Sequence, residues 1–235
     1  NFEKVFIFNS SLRYKLISKL AGIKDIYQYS LFKKKNQHII KTAQNFLKKE
    51  LSLDVESNPI ISVESEEIKI AKTKYQMIDN QVNILLGIGG SGETKRIPPE
   101  IFLKFMELSS NEHDCKYFLA TGKDEGEQKI LNKILQSKFK NKCISLDDLD
   151  IIKILPVIKN CKISICNDSS FSHLSAAIGI PTIVLMADTP LLYGSYSPKM
   201  YPIIPDDEQS VTHDTLGKDK INPNKIFSKF KKILN

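Results

Sequence analysis

From Val82 onward this chain alternates between short apolar runs and helix-like patterns, and that alternation limits its fold more than any other feature. Val82–Ile88, Cys115–Thr121, Lys142–Ser145, Lys162–Cys166 and Thr182–Met186 are apolar runs of strand length. Between them lie segments with helical spacing: one opened by Pro98-Pro99-Glu100, then Asp124–Lys138, Asp148–Lys159 and Ser169–Ile178. Proline suits a first helical turn, where its missing N–H has no intrahelical partner to lose. Gly179 and Pro181 stop the fourth helix, and a last one spans Pro223–Leu234 behind Asn222, a good N-cap. Apolar strands separated by amphipathic helices predict an α/β fold, a parallel sheet covered on both faces. Ligands of such sheets sit beyond the carboxyl ends of the strands. The loops after Ile88, Thr121 and Cys166 are therefore where chemistry is expected.

The first 81 residues carry weaker signals. Val5–Phe8 reads as a strand, and Ser10–Leu20 as a helix with Leu12, Leu16, Ile17 and Leu20 on one face. Ile26–Tyr29 reads as a second strand, and Asn36–Leu51 as a helix with Asn36 as its cap. Residues 52–81 are rich in Ser, Asn, Pro and Glu and read as a linker holding one short strand at most.

With 41% hydrophobic and 26% charged residues, the chain has material for an ordinary core. No run of eighteen apolar residues exists, so no helical membrane span is expected. The opening Asn1–Phe8 is a strand pattern, not a basic segment before an apolar one, and it lacks an initial Met. Cys115, Cys143, Cys161 and Cys166 form no CxxC pair and lie in or beside apolar runs. They read as reduced core residues, which fits a cytoplasmic protein. The net charge of +7 is uneven: +8 over residues 1–53, −6 over 54–217 and +5 over 218–235. Basic ends suit nucleic acid, an anionic lipid or a phosphorylated acceptor as well as plain solvation.

The loop Gly87-Ile88-Gly89-Gly90-Ser91-Gly92-Glu93-Thr94-Lys95-Arg96 follows a strand and precedes a helix. Glycines let a backbone approach phosphate closely and aim its N–H groups inward. Gly90, Ser91, Thr94 and Lys95 would add N–H, hydroxyl and ammonium donors. Gly87-x-Gly89-x-x-Gly92 matches the dinucleotide fingerprint by spelling, but the next helix starts six residues late and Thr121-Gly122 stands where that motif expects an acid. A P-loop fits worse, since Lys95 does not follow Gly92 directly and no Ser or Thr follows the lysine. A diphosphate loop of another α/β family and a plain flexible turn both stay open.

Ile163-Ser164-Ile165-Cys166-Asn167-Asp168-Ser169-Ser170-Phe171-Ser172-His173 is the most informative stretch. An apolar strand ends in Asn-Asp, hydroxyl residues open a helix, and His173 follows one turn in. A helix N-terminus carries free N–H groups and about half a positive charge, which suits phosphate. Simple capping by Asp168 would account for an acid there, but not for the whole polar cluster.

This segment resembles the signature of glycosyltransferase family 9, in which a strand runs into Asn/Asp-Asp-Thr/Ser-Gly-x-x-His. Gly90-Ser91-Gly92-Glu93-Thr94-Lys95-Arg96-Ile97-Pro98-Pro99-Glu100 resembles that family's Lys-Arg-Trp-Pro-x-Glu element, and Thr121-Gly122-Lys123-Asp124-Glu125 its Gly-x-x-x-Glu turn. His38 falls where the family has a His before a basic-aromatic helix. The motifs keep the family's order over nearly the whole chain. Ser170 stands for the usual Gly, Ile97 for Trp, and Met186-Ala187-Asp188-Thr189-Pro190 for a Gly-Pro-Thr-Asp-Pro loop. The resemblance implies a GT-B fold of two Rossmann-like domains with parallel sheets, the first incomplete. Residues 1–53 would be the rest of an acceptor-binding domain, 54–81 a linker, and 82–235 the nucleotide-sugar donor domain.

The resemblance further implies sugar transfer from a nucleotide-diphosphate sugar, ADP-heptose in the best-known members, to a lipopolysaccharide core or related glycan. Gly90, Ser91, Thr94, Lys95, Asp168, Ser169, Ser170 and His173 would hold the donor, with Glu125 at its ribose or base. The family's proposed base is an Asp in a Gly-Asp element near the N-terminus. None precedes Val5, so that base falls outside this sequence or is lacking, and Asp168 and His173 remain as catalytic candidates. No cofactor, metal or nucleic acid is implied. The partners would be the donor, the glycan acceptor and the anionic inner membrane surface at the cytoplasmic side.

Asp148-x-Asp150 spells a metal-binding DxD but sits at a helix start, where acids favour the dipole. Asp206-Asp207-Glu208 reads as a turn, His113 and His213 stand alone, and GxSxG is absent. Two other functions fit the same patterns: a GT-B-like UDP-sugar epimerase, and a non-catalytic basic binding protein.

Overall fold

The computed structural model describes residues 2–30, 38–55 and 58–235. These form two compact units, 1–57 and 58–235. Unit 1 is one β-α-β turn plus a helix: β1 (Lys4–Ile7), α1 (Leu12–Leu20), β2 (Asp25–Gln28) and α2 (Ile39–Leu51). β1 and β2 pair in parallel, with Phe6 opposite Tyr27. Phe6, Phe8, Tyr27, Tyr29 and Phe46 form an aromatic cluster that ties α2 to the strands. The expected apolar face of α1 is a correction: Leu12, Leu16, Ile17 and Leu20 are all exposed. Periodicity locates such a face, but burial needs a facing layer, and the described residues supply none. The proposed cap Asn36 lies outside the described residues, as do Lys33, Lys34 and Lys35. His38 caps α2 instead, its Nδ1 accepting from the Ile40 N–H at 3.2 Å.

Unit 2 opens with α3 (Ser65–Lys74), where a linker was expected. It continues with β3 (Val82–Gly87), α4 (Pro99–Glu112), β4 (Cys115–Ala120), α5 (Glu125–Leu135), β5 (Cys143–Ser145) and α6 (Ile151–Lys159). β6 (Ile163–Asn167), α7 (Ser170–Ile178), β7 (Thr182–Leu185), β8 (Met200–Ile203) and α8 (Pro223–Leu234) complete it. All six strands are parallel, in the order β5-β4-β3-β6-β7-β8. That is the doubly wound order with its switch point between β3 and β6.

Alternation along the strands builds two cores. Ile84, Leu86 and Ile88 face one side, with Phe102, Phe105, Leu131, Ile226 and Phe230 from α4, α5 and α8. Leu85 and Phe118 face the other, with Ala71 of α3, Ile154 and Val157 of α6, and Phe171 of α7. α3 therefore belongs to the second face. Its hold on α6 includes a hydrogen bond from the Asn160 side chain to the Ile68 carbonyl at 2.8 Å. Only Ala71 of α3 is buried, which is why its sequence looked like linker. β8 was not expected either. It carries Pro202, and a strand at the sheet edge tolerates proline because no further strand needs its N–H. The four cysteines are free. Burial pushes the Cys143 and Cys166 thiols up to about 12.

Candidate functional site

The switch point brings together the two loops that stood out in the sequence. Gly87 at the end of β3 lies beside Cys166 of β6, so Ile88 and Gly89 continue next to Asn167 and Asp168. Asn167 is fully buried and donates through Nδ2 to the carbonyls of Ile88 at 2.8 Å and Gly89 at 3.2 Å. This bond ties the start of one loop to the start of the other.

Lys95 ends a short 3-10 turn, Glu93–Lys95, and its ammonium meets the Asp168 carboxylate at 2.8 Å. The Asp168 side chain is 7% exposed and that of Lys95 25%, so the acid is buried and the ammonium still reaches solvent. Asp168 therefore does not cap α7. The N-cap is Ser169, whose side chain makes no capping bond and whose Oγ is buried without a partner. Ser170 is exposed at the first helical position. In the first turn the Ser172 N–H bonds back to the Ser169 carbonyl at 3.1 Å, which leaves the N–H groups of Ser170 and Phe171, the orphan Ser169 hydroxyl and the Lys95 ammonium as groups whose chemistry suits an anion.

His173 is half-buried one turn further along. Its Nδ1 lies 2.7 Å from the Tyr196 hydroxyl, and the two rings are nearly parallel. Burial pushes its pKa down, and the Asp168 charge opposes that shift. His173 is thus held mainly neutral at pH 7.

One expectation needs correcting. Gly90 was read as a free phosphate donor, but its N–H is taken at 2.6 Å by the buried carboxylate of Glu127. Glu125, expected at the ribose or base of the donor, is exposed and pairs with Lys129 one turn on. It occupies the first position of α5 behind the cap Asp124, and the helical turn carries it outward. Glu127, two residues later, turns onto the Gly90 N–H, and the sequence signals it only as an acid at the third helical position after an Asp cap. Gly89 is required there: a Cβ on it would come within 2.6 Å of Glu127 Oε1 and 3.1 Å of the Thr121 Cα.

Ser91 is exposed and Thr94 half-buried, both on the loop as read. Arg96 props the loop from below, donating to the Gly90 carbonyl at 2.9 Å and pairing with Asp124 at 2.7 Å. Lys218, far along the chain, reaches the Glu93 carbonyl at 3.2 Å and adds a second cation beside the loop. Nothing local in the sequence marks Lys218. Ile97, where the family pattern has Trp, is fully buried in the first core.

Asp148 pairs with Lys123, and Asp150 stands at the N-cap of α6. Among the described residues no group of three or more His, Cys, Asp or Glu side chains is gathered as a metal ion would need. No helix among them is long and apolar enough to cross a membrane.

Residues 17–220 match the family model of glycosyltransferase family 9 (heptosyltransferase). Lipooligosaccharide heptosyltransferase 2 of Campylobacter jejuni is 29% identical over 196 residues, 78% of this chain and 57% of its own length. Lipopolysaccharide heptosyltransferase 1 of Campylobacter coli is 25% identical over 62% of this chain and 43% of its own. The chain thus spans about half the length of these curated relatives. Among solved structures, the ADP-heptose LPS heptosyltransferase II of E. coli superposes with a TM-score of 0.73 at 18% identity, over 99% of this chain and 76% of that one. The family 9 glycosyl transferase of Veillonella parvula gives 0.76 at 15% identity, over 99% and 73%. These likenesses show the fold, an α/β fold of the GT-B kind with parallel sheets.

Proposed function

This chain belongs to glycosyltransferase family 9, and on that premise we propose that unit 2 holds a nucleotide-diphosphate sugar for transfer to a glycan acceptor. The observation that carries the reading is the Lys95–Asp168 pair at the switch point, beside an uncapped helix start. A diphosphate needs positive charge and directed N–H donors. Lys95, the first turn of α7 and the Ser169 and Ser170 hydroxyls supply them, with Ser91 and Thr94 on the facing loop.

The leaving group gains charge as the sugar bond breaks, so the same groups would lower the barrier by electrostatics. Each charge-assisted hydrogen bond contributes ~1.5–3 kcal/mol. Asp168 positions Lys95 and is within reach of a sugar hydroxyl bound against it, while neutral His173 offers a ring N–H. Glu125 at the start of α5 and Glu127, whose carboxylate holds the Gly90 N–H, are the acids that would serve a ribose. Fixed protein charges take the place of a divalent ion, so transfer would be metal-independent. Heptose as the sugar, a lipopolysaccharide core as the acceptor and work at the cytoplasmic face of the inner membrane are the matching finer proposals. What supports them is that the relatives are lipooligosaccharide and lipopolysaccharide heptosyltransferases.

The test is an assay of the whole protein with ADP-heptose, with and without lipid-linked acceptor, in EDTA. Nucleotide release that depends on acceptor is the expected result. Turnover of donor alone would point to an epimerase, and absence of nucleotide-diphosphate binding to a non-catalytic protein.

A further inference from the structure

The site contains one interaction that the donor-binding reading leaves unused, and it concerns the chemical form of His173. We infer that Tyr196 is a positioning residue that holds the His173 imidazole with its proton on Nε2 and its ring plane fixed beside the Lys95–Asp168 pair. The inference rests on the proposed donor site at the start of α7 only for its catalytic consequence. The interaction itself is independent of any ligand.

Three features carry it. The Tyr196 hydroxyl lies 2.7 Å from Nδ1, and the ring centroids are 5.6 Å apart at an interplanar angle of 12°. A hydrogen bond sets the rotation of the imidazole, and the parallel phenol sets its plane. Next, Tyr196 is itself anchored. It packs with Leu191 and Ile204 on a small core of Ala176, Val184, Met186 and Met200. Ala176 lies on α7 three residues beyond His173, so the loop carrying Tyr196 and the helix carrying His173 share one rigid contact.

The third feature is direction. A neutral imidazole has one N–H and one lone pair, and the bond made by one nitrogen decides the state of the other. Burial keeps His173 neutral and the Tyr196 phenol protonated. The phenol oxygen is a weak acceptor because its lone pair is shared with the ring, whereas the imidazole nitrogen is a strong one. Tyr196 therefore donates, Nδ1 accepts, and Nε2 carries the proton. The charged groups facing His173 are Asp168 and Lys95, with opposite effects on its protonation. They cancel in part, which leaves the uncharged phenol to select the tautomer. A proton held on Nε2 makes that atom a standing donor toward an oxygen of a bound diphosphate or sugar.

The experiment is long-range ¹H–¹⁵N correlation NMR on the whole protein labelled in histidine, run without ligand, with His173→Gln used to assign the signal. The wild type should show His173 with Nε2 protonated and Nδ1 bare. Tyr196→Phe should fold normally and show a mixture of tautomers. Wild-type His173 protonated on Nδ1, or an unchanged tautomer in Tyr196→Phe, overturns the inference. In the transfer assay, Tyr196→Phe should lower kcat about tenfold with little change in donor KM, a smaller loss than the ~100-fold expected for deleting a preorganised donor outright. An unchanged kcat with a changed tautomer would overturn the positioning role. A wild type that transfers no sugar would instead count against the proposed function, with the tautomer result standing by itself.

Discussion

Lys95 and Asp168 lie 73 positions apart in the chain and 2.8 Å apart in the fold. Both carry charge in a partly buried place, so each stabilises the other. Lys95→Ala should weaken ADP binding by roughly ten- to a hundredfold, the worth of one charge-assisted contact, and leave adenosine binding nearly unchanged. Titration calorimetry with both ligands checks this, and equal losses would remove the phosphate role. Had Asp168 been a helix cap, Asp168→Asn would be almost neutral, because Asn caps as well as Asp. The observed pairing changes that expectation. Asp168→Asn leaves the ammonium without its opposite charge and should cost about 1–3 kcal/mol, less than a fully buried pair because Lys95 can still reach water. Melting curves of Asp168→Asn, Lys95→Met and the double variant should show recovery of part of that loss in the double variant, while transfer stays low in all three.

His173 makes a pH prediction at the same scale. Its folded pKa lies below the usual histidine value through burial. The unfolded chain therefore takes up this proton first as pH falls through ~6.5. Stability from this group is present above that pH and is lost as pH drops toward the lower folded value. The melting temperature should decline from pH 7 to pH 5, and His173→Gln should flatten that decline. Equal slopes for both proteins would show that other groups dominate.

At the scale of elements, the two loops act as one unit because strands β3 and β6 are neighbours and Asn167 joins their ends. Asn167→Ala would leave the Ile88 and Gly89 carbonyls without their donor in a buried place. It should cost about 1–3 kcal/mol and also weaken ADP binding, since the glycine loop loses its tether. A thermal shift paired with ADP titration tests both parts; lost stability with unchanged binding would show that the loop holds its shape without Asn167. Gly179, with φ of 92°, ends α7 in the left-handed region as its sequence position suggested. The alternation of β3 sorts its side chains between two helical layers, which is why the run of apolar residues could be read so directly as a buried strand. α3 and β8 lacked such a signal. One buries a single alanine, and the other is four residues long with a proline inside.

For the whole molecule, the uneven charge remains the feature that concerns partners. Residues 1–53 carry a surplus of +8 against −6 over 54–217. If unit 1 serves a negatively charged glycolipid acceptor, reversing Lys33, Lys34 and Lys35 to Glu should raise the acceptor KM and leave the donor KM alone. These three residues lie outside the described ones, so the expectation rests on charge alone. Kinetics at low salt, where screening is weakest, give the test. An acceptor KM that does not move would falsify an electrostatic role.

The α/β class, five of the six strands of the parallel sheet in unit 2 and the two chemistry-bearing loops could be read from the chain itself. Apolar period, proline and glycine punctuation and helix caps are local, and local signals survive without coordinates. Tertiary structure alone decided which acid meets the glycine loop. Glu125 and Glu127 look alike in sequence, and two residues of helical rotation turn one to solvent and the other onto Gly90. The same holds for Lys218 at Glu93 and for Tyr196 at His173, contacts between segments that are far apart in sequence or joined only through a folded loop. It holds also for the partner of Asp168, a cap by spelling and an ion-pair acid by the order in which the strands lie.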